Sequence, residues 1–489
     1  MIDTATATER AMRHAPSALF IDGKWVQARS GAQMNVENPA SEQTIASVPD
    51  AGVEDGNAAL DAASGRQASF AASNPRERSE ILRAAYEKMV QRADDLALLM
   101  TLENGKPLAE ARAEILYAAD FFRWFGEEAV RVAGRYMRAP VGSARFLMIK
   151  QPVGPALLIA PWNFPAAMVT RKVGPAIAAG CTTVLKPAPE TPLSALAIAA
   201  ILQEAGLPDG ALNVITTSHA SEVVQRLMED SRLRKISFTG STSTGRVLLQ
   251  QAATHVLRTS MELGGNAPFL VFADADPEAA IEGAMAAKIR NLGQVCTSAN
   301  RFYVASNLAE EFADGLGRRM SALQIGPGTD PAVKVGPLIN QRGRDKVERL
   351  VSEIVGSGAH VVTGGERPDG AGYFYRPTVL GGVASDTPAL REEIFGPVAP
   401  IVSFDSEDEA VAWANRTSYG LIAYVYTRDL GRAMRVSEAF EAGMVGLNTG
   451  MVANPAAPFG GVKESGIGRE GGAEGIEEFL ETKYISVNW

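Results

Sequence analysis

Short apolar runs alternate with helical patterns along most of the chain. The first series of predicted strands comprises residues 156–160, 182–185, 212–216 and 235–239, and the second comprises residues 269–272, 301–305, 360–363, 401–404 and 422–427. Apolar residues recur at helical spacing in residues 192–205, 277–291, 307–323 and 406–416, which predicts helices there. Strands that alternate with helices form parallel sheets, so the pattern predicts an α/β fold with two Rossmann-like open sheets.

Three other segments complete the predicted elements. Residues 57–124 are rich in Ala, Leu, Glu and Arg and predict a run of helices, and residues 20–26 predict a short strand and turn. Residues 135–152 alternate loosely around a turn, which predicts a β-hairpin, and the closing residues 482–489 are strand-like. The pair Gly264-Gly265 lies between the two α/β series and suits a bend or hinge.

The composition limits the partners of this 489-residue chain. Its 47 basic and 56 acidic side chains give a net charge of −9, which argues against nucleic-acid and anionic-membrane surfaces as partners. Five prolines interrupt the most apolar window, residues 152–185, which therefore cannot span a bilayer as one helix. The first 14 residues lack the apolar core of a secretory signal, and two cysteines cannot form a disulfide framework. We therefore expect a cytoplasmic protein.

Cys296 is the candidate nucleophile. It lies in GQVCTSAN, where small polar neighbours leave room for a substrate, whereas Cys181 leads into a buried strand and fits the core. An unperturbed thiol has a pKa of about 8.5, so it needs an activating group at neutral pH. The four histidines are scattered and form no catalytic or metal motif. From this stretch alone, a reactive thiol and a small buried residue are equally acceptable interpretations.

Two further side chains could support a nucleophilic thiol. Glu262, in TSMELGGN, could act as a base or activate water. Asn163, in the rigid stretch PWNFP after a predicted strand, offers an amide that could stabilise an oxyanion. Taken alone, Glu262 could also be a solvated residue of a strand, and Asn163 could be an ordinary turn residue.

Other motifs suit a cofactor. FTGSTSTG, with Gly240 and Gly245, precedes a predicted helix near residue 246, and N–H groups at a helix start can bind a phosphate. Its spacing matches neither the dinucleotide nor the Walker glycine motif. Lys186 could reach a ribose or a phosphate, and Glu393 with Phe395 could contact a ribose hydroxyl. Each of these residues also fits a plain surface role when it is considered singly.

Together these stretches resemble the aldehyde dehydrogenase superfamily over essentially the whole chain. The resemblance is carried, in the order and at about the spacing of the family, by PWNFP, LKPAPETP, FTGSTSTG, MELGG, GQVC, EEIFGP and APFGGVKESGIGRE. Within the superfamily, PWNFPAAMVTRKVGPAIAAGC, KPAPETPLSALA and ELGGNAPFLVFADAD are most similar to succinate-semialdehyde dehydrogenases.

The resemblance implies roles for the candidate residues. Cys296 would attack the aldehyde carbon, Asn163 and the Cys296 backbone N–H would stabilise the oxyanion, and Glu262 would activate the water that hydrolyses the thioester. The residues implied in cofactor binding are Lys186, Pro189, Trp162, Gly240, Ser241, Gly245, Glu393 and Phe395. The residues implied in substrate binding are Arg171, Arg290 and Phe459, and no metal is implied.

Three departures from the family pattern bear on specificity. Pro189 stands where many members carry a glutamate that disfavours NADP, so we expect NADP, with NAD as a second candidate because Glu190 is adjacent. Ala453 stands where the succinate-semialdehyde enzymes usually offer a serine to the substrate carboxylate. Ser298 stands where many carry a second cysteine, so we expect no disulfide between Cys296 and another residue of the chain.

The expected substrate is an aldehyde that bears a carboxylate, such as succinate semialdehyde. Arg171 and Arg290 would hold that carboxylate, although a helical wheel places Arg290 opposite an apolar stripe, where a solvated arginine fits equally. The alternatives are glutarate semialdehyde, or an uncharged aliphatic or aromatic aldehyde. Other chemistries on the same scaffold are a CoA-acylating or phosphorylating enzyme and a non-catalytic protein, and the presence of Glu262 argues against both.

The resemblance also implies a domain division and an assembly. The dinucleotide-binding domain would comprise residues 1–130 and 153–263, and the catalytic domain residues 264–440. Residues 131–152 and 473–489 would form a small β oligomerisation arm, and residues 441–472 would line the substrate site. The implied assembly is a homodimer or a homotetramer.

Overall fold

The structure, a computed structural model, describes residues 9–488. The first eight residues of the predicted first domain, most of the stretch tested for a secretory signal, and the last residue of the predicted closing strand lie outside this range. No helix within residues 9–488 is long and apolar enough to cross a membrane.

The first sheet has eight strands, of which the five central ones are parallel. In spatial order they are β19 (Gly466–Ile467), β11 (Arg258–Glu262), β10 (Lys235–Thr239), β7 (Ala156–Ile159), β8 (Thr183–Lys186), β9 (Leu212–Val214), β1 (Leu19–Ile21) and β2 (Lys24–Val26). The three edge strands β19, β1 and β2 pair antiparallel. β7, β8, β9 and β10 are buried throughout, and β7 is apolar along its whole length, whereas β10 alternates apolar with polar residues.

Helices cover both faces of this sheet. They are α1 (Val53–Ala71), α2 (Pro75–Gln91), α3 (Ala93–Asn104), α4 (Leu108–Ala129), α5 (Ala167–Ala179), α6 (Pro192–Glu204), α7 (Ala220–Met228) and α8 (Thr242–His255). Leu158 of β7 packs in a cluster with α2 to α6, and its neighbours Leu157 and Ile159 pack with α1, α7 and α8. The alternation of side chains along one strand therefore divides the core into two layers.

The second sheet has seven strands, and all its pairs except β14–β15 are parallel. In spatial order they are β14 (His360–Thr363), β15 (Thr378–Gly381), β16 (Val398–Phe404), β13 (Ala299–Ala305), β12 (Ala267–Val271), β17 (Ile422–Tyr426) and β18 (Met444–Leu447). Its helices are α9 (Pro277–Ile289), α10 (Ala309–Ser321), α11 (Gln341–Gly356), α12 (Glu407–Asn415) and α13 (Leu430–Ala439), with short 3-10 turns at Arg290–Gly293, Pro388–Arg391 and Lys463–Ser465.

Two small antiparallel sheets complete the fold. One joins β5 (Arg135–Arg138), β6 (Arg145–Pro152) and β20 (Leu480–Val487), with the single-turn α14 (Glu474–Glu477) just before β20. The other is the hairpin of β3 (Gln33–Asn38) and β4 (Gln43–Pro49). The structure thus contains the predicted hairpin at residues 135–152 and the closing strand, and it joins the two in one sheet. The proposed domain limits themselves stay a prediction.

Several elements differ from the sequence prediction. The helix expected over 277–291 ends at Ile289, because Asn291 and Leu292 have left-handed φ angles of 45° and 55°. Helix α5 was not predicted, since prolines dominate that window, yet Pro175 lies inside the helix. Helix α8 begins at Thr242 and not near residue 246. Helices α7, α11 and α13, strands β15 and β18 and the β3–β4 hairpin were also missed.

The order of the strands determines where a ligand can bind. β7 and β10 are neighbours in space but not in sequence, so loops after their carboxyl ends diverge and leave a crevice. β11 ends at Glu262 on this edge, and after a link of four residues β12 begins the second sheet at Ala267. The carboxyl edge of the first sheet therefore faces the amino end of β12, with the loop that carries Cys296 just before β13.

Candidate active site

A cavity of about 550 Å³ lies between these two sheet edges. Ten of the fourteen predicted site residues line it: Trp162, Asn163, Arg171, Gly240, Ser241, Arg290, Cys296, Glu393, Phe395 and Phe459. The other four are not on its wall: Glu262, Lys186, Pro189 and Gly245. Residues on the loops after β7 and β10 thus share one space with the Cys296 loop.

The amide of Asn163 is held in a single orientation. Its Oδ1 accepts the Phe164 backbone N–H at 3.1 Å, and its Nδ2 donates to the Gln294 carbonyl at 3.0 Å. Its own carbonyl accepts from Lys106 Nζ at 2.8 Å and from Asn291 Nδ2 at 2.9 Å. One N–H of the Asn163 amide is used by Gln294, so the second is left for a ligand in the cavity.

Two acids on helix α4 anchor this network, and sequence reasoning missed them. Glu114 accepts from Lys106 and from the backbone N–H groups of Ala166 and Ala167, where α5 begins. Glu110 accepts the Asn291 N–H at 2.7 Å and so holds the left-handed turn before the Cys296 loop. Acids in a helical pattern are usually solvated, so the sequence offered no signal that Glu114 is buried and Glu110 half-buried.

Two glycines allow the chain to pass between the sheets. A Cβ on Gly265 would lie 2.2 Å from the Cys296 carbonyl oxygen, and a Cβ on Gly264 would lie 2.9 Å from Glu393 Oε2. The Gly265 N–H donates to Glu393 Oε1 at 2.9 Å. Neither glycine has a positive φ, and both are needed for close approach to neighbouring groups.

The environment of Cys296 keeps its thiol protonated in the absence of a cofactor. Burial raises the pKa of the Cys296 thiol to about 12. The charge of Arg171 lowers this pKa, and the carboxylates of Glu262 and Glu393 raise it. A nucleophilic thiolate therefore needs a proton acceptor or an added positive charge. Both cysteines of the chain, Cys181 and Cys296, are free thiols.

Glu262 is buried and belongs to a cluster of charges. Only 3 % of its surface is exposed, and within residues 9–488 no group hydrogen-bonds its Oε2. Burial, followed by the charge of Glu470, raises the Glu262 pKa well above its usual value, and Lys172 opposes the shift. Lys172 Nζ donates to Glu470. A buried carboxyl with a raised pKa is suited to taking up a proton near neutral pH, and the interpretation as a solvated strand residue is wrong.

Arg171 presents free donors to the cavity. Its guanidinium is 2 % exposed and lies 4.2 Å from the centre of the Phe459 ring. Nη2 donates to the Tyr117 hydroxyl at 2.6 Å, and Nη1 lies 3.7 Å from Glu470 Oε2. Within the described residues, Nε and Nη1 of Arg171 have no hydrogen-bond acceptor. This arrangement is suited to an anion, because buried guanidinium donors without acceptors are costly.

Arg290 also faces the cavity. Its Nη2 lies 3.4 Å from Thr297 Oγ1, its Nη1 lies 3.7 Å from Met451 Sδ, and its guanidinium lies 5.1 Å from the centre of the Phe164 ring. The helical wheel did not apply to Arg290, because α9 ends one residue before it. Ala453 lies on the same cavity wall and contributes only a methyl group.

The two glycines of the loop 238–245 lie against protein side chains, whereas the sequence suggested that they allow close approach of a phosphate. A Cβ on Gly240 would lie 2.4 Å from the Phe238 ring, and one on Gly245 would lie 2.5 Å from a Leu263 methyl. These glycines thus make room for protein side chains. Ser241 caps helix α8 by accepting the Thr244 N–H at 3.3 Å. The helix start and the Ser241 hydroxyl remain suited to a phosphate.

The remaining predicted cofactor residues lie at two places. Lys186 Nζ donates to the Pro187 carbonyl at 2.9 Å, and burial lowers the Lys186 pKa to about 8, against the charge of Glu190. The Trp162 and Phe395 rings meet edge to face at 5.5 Å. Burial raises the Glu393 pKa to about 7. The buried Lys186 ammonium has spare donors and is suited to a phosphate or a ribose hydroxyl of a dinucleotide. The half-buried Glu393 carboxyl is suited to a ribose hydroxyl.

Comparison with known proteins identifies the family. The sequence model of the aldehyde dehydrogenase family matches residues 25–485. The chain belongs to the aldehyde dehydrogenase family. This confirms the predicted fold class and the predicted oxidation of an aldehyde by an NAD(P)-dependent enzyme.

Individual members of the family are similar to nearly the whole chain. A succinate-semialdehyde dehydrogenase of Paenarthrobacter nicotinovorans is 56 % identical over 91 % of this chain and 98 % of its own. A glutarate-semialdehyde dehydrogenase of Pseudomonas aeruginosa is 47 % identical over 95 % and 96 %. The crystal structure of an NADP-dependent enzyme of E. coli is 48 % identical, covers 98 % of this chain and 99 % of its own, and has a TM-score of 0.96.

The contact at Gly265 predicts that this position tolerates no side chain. In Gly265→Ala the new methyl must displace the Cys296 carbonyl, and a shift of about 1 Å at a reacting group can cost roughly 100-fold in rate. We expect kcat for aldehyde oxidation to fall by about that factor. Gly65→Ala in α1, where nothing lies within 4 Å of the added Cβ, is the matched control and should keep its kcat. Equal kcat values for the two variants would contradict the claim that the site requires the close approach of Gly265 to the Cys296 carbonyl.

The raised thiol pKa predicts how alkylation depends on pH. Without cofactor, the rate at which iodoacetamide modifies Cys296 should rise about tenfold per pH unit from pH 7 to 9, because only the thiolate reacts. Mass spectrometry of the modified peptide measures this rate, and Cys296→Ser, which retains the buried Cys181, gives the background. A plateau in the rate below pH 8 would mean that the thiol is activated in the free enzyme.

Proposed function

We propose that the protein oxidises an aldehyde bearing a distal carboxylate, such as succinate semialdehyde, to the dicarboxylic acid. The observation that carries the substrate class is Arg171, a buried cation whose Nε and Nη1 have no acceptor among the described residues and which lines the same cavity as Cys296. A substrate carboxylate would satisfy these donors while the aldehyde carbon lies at the thiol. Arg290 is a second cation on the same wall.

The first chemical step is addition of the Cys296 sulfur to the aldehyde carbon. Because burial keeps this thiol protonated, its proton must leave as the bond forms, and the acceptor we assign is Glu262 in its ionised form, which the charges of Lys172 and Arg171 favour against the effect of burial. The free N–H of the Asn163 amide and the Cys296 backbone N–H would stabilise the oxyanion. A well-placed donor of this kind contributes about 3–4 kcal/mol.

A bound nicotinamide dinucleotide supplies the acceptor for the hydride that leaves the thiohemiacetal carbon. We assign its phosphates to Ser241 and the start of α8, its adenosine ribose to Lys186 with Pro189 alongside, and its second ribose to Glu393, with Trp162 and Phe395 as packing surfaces. NADP is the preferred form because Pro189 carries no charge, and NAD remains a substrate because Glu190 disfavours a phosphate beside Lys186.

The last step is hydrolysis of the thioester left on Cys296. Once Glu262 has released the thiol proton to solvent, its carboxylate takes a proton from the attacking water and returns it to the departing sulfur, so that the Cys296 thiol and the carboxylic acid are formed. Lys172 donates a hydrogen bond to Glu470, and the charges of both residues act on the Glu262 carboxyl. The proton on Glu262 therefore lies in a polar environment. An enzyme that passed the acyl group to CoA would not need a carboxylate to activate water, so hydrolysis is the outcome we favour.

The assembly and location complete the proposal. Apolar side chains on the β5–β6–β20 sheet are solvent-exposed in the single chain, including Tyr136, Met137, Leu147 and Tyr484. Exposed apolar groups on an open sheet edge are typical of a subunit contact, so we propose a homodimer or homotetramer built on this arm. The two free cysteines support a cytoplasmic location.

Steady-state kinetics on matched aldehydes test the substrate class. With NADP or NAD, we expect kcat/KM for succinate semialdehyde to exceed that for butanal, which has the same carbon count but no carboxylate, with glutarate semialdehyde as the second anionic substrate. In Arg171→Met the ratio of succinate semialdehyde to butanal should fall about 100-fold, the cost of removing one partner of a desolvated charge pair.

The ratio cancels effects on the chemistry that both aldehydes share. Arg226→Met, at an exposed arginine on α7, is the matched control and should leave the ratio unchanged. Wild-type enzyme that prefers butanal would refute the proposed substrate class. An unchanged ratio in Arg171→Met would refute the role of this arginine.

A further inference from the structure

Tyr117 contributes a hydrogen-bond donor to the cavity that the chemistry described so far does not use. Its side chain lines the cavity from helix α4. Its hydroxyl oxygen accepts from Arg171 Nη2 at 2.6 Å. A guanidinium has only donors, so the hydrogen of this bond belongs to the arginine and the phenolic hydrogen must point elsewhere.

No acceptor within residues 9–488 receives that phenolic hydrogen. Among residues 9–488 the only hydrogen bond of the Tyr117 hydroxyl is the one from Arg171. The hydroxyl therefore lies next to the free Nε and Nη1 donors of Arg171 with a free donor of its own. Three hydrogen-bond donors without an acceptor thus adjoin one another beside the cavity.

The position of these donors is fixed before a ligand binds. The Arg171 guanidinium lies 4.2 Å from the centre of the Phe459 ring and 5.0 Å from that of Phe121, and its Nη2 is held by Tyr117. An anion that binds there need not order a flexible side chain, which reduces the entropic cost of binding. Ala453 on the cavity wall provides no further donor.

We propose that Tyr117 is a specificity-determining residue whose hydroxyl donates directly to the distal carboxylate of the substrate. This inference rests on the proposed substrate class and names a contact within it. Arg171 would supply the charge and two donors, and Tyr117 a neutral donor that recognises the same carboxylate. An uncharged aldehyde would leave the hydroxyl without an acceptor.

The test compares Tyr117→Phe with wild type on succinate semialdehyde and butanal at saturating NADP. We expect KM for succinate semialdehyde to rise roughly tenfold or more, as for the loss of a hydrogen bond to a charged group, with kcat nearly unchanged. kcat/KM for butanal should stay within about twofold. Tyr86→Phe, at the half-buried tyrosine of α2 under Arg123, is the matched control and should change neither substrate.

A double-mutant cycle separates direct contact from positioning of Arg171. If the hydroxyl touches the substrate, Tyr117→Phe should still raise KM for succinate semialdehyde about threefold or more in an Arg171→Met background. No further rise in that background would overturn the direct contact. An unchanged KM in the single variant, or equal losses on both aldehydes, would also overturn it.

The outcomes distinguish this inference from the proposed function. If the wild type prefers succinate semialdehyde and Tyr117→Phe leaves KM unchanged, only the proposed role of Tyr117 is refuted. A wild type that prefers butanal refutes the substrate class, and the role of Tyr117 with it.

Discussion

The close passage of two backbone segments at Gly265 is the constraint on which the site depends. The chain leaves the first sheet at Glu262 and enters the second at Ala267, and between them it passes so near the Cys296 carbonyl that no side chain fits. The predicted base and the predicted nucleophile belong to the edges of two different sheets. This short link holds those edges, and the groups on them, at one fixed separation.

The burial of ionisable side chains raises the pKa values of Cys296 and Glu262, and buried charges of this kind require the surrounding network of ion pairs and hydrogen bonds. Cys296 and Glu262 are both kept protonated more than usual because they are removed from water. The cations that oppose this effect, Arg171 and Lys172, lie on helix α5, and Glu114 binds the N–H groups where α5 begins. An acid buried on α4 therefore positions the helix whose charges act on the reacting groups.

The sequence predicted the sheets well and the supporting network poorly. Buried parallel strands such as β7 and β12 produce continuous apolar runs that can be recognised locally. Helix α5 was missed because a proline is tolerated inside a buried helix, which local pattern does not reveal. Motifs made Cys296, Glu262 and Asn163 the candidate catalytic residues, and their catalytic roles stay a prediction. Lys106, Glu114 and Tyr117 were not found, because their roles depend on partners far away in the chain.

Pre-steady-state kinetics of Glu262→Gln with NADP and succinate semialdehyde test the central claim, that a Cys296 thioester forms and is hydrolysed by Glu262-activated water. We expect a burst of reduced cofactor near one equivalent per site, slowed because the thiol proton loses its acceptor, followed by turnover reduced roughly 100-fold or more. Cys296→Ser should give no burst. Full steady-state turnover in Glu262→Gln, or a burst in Cys296→Ser, would contradict the account.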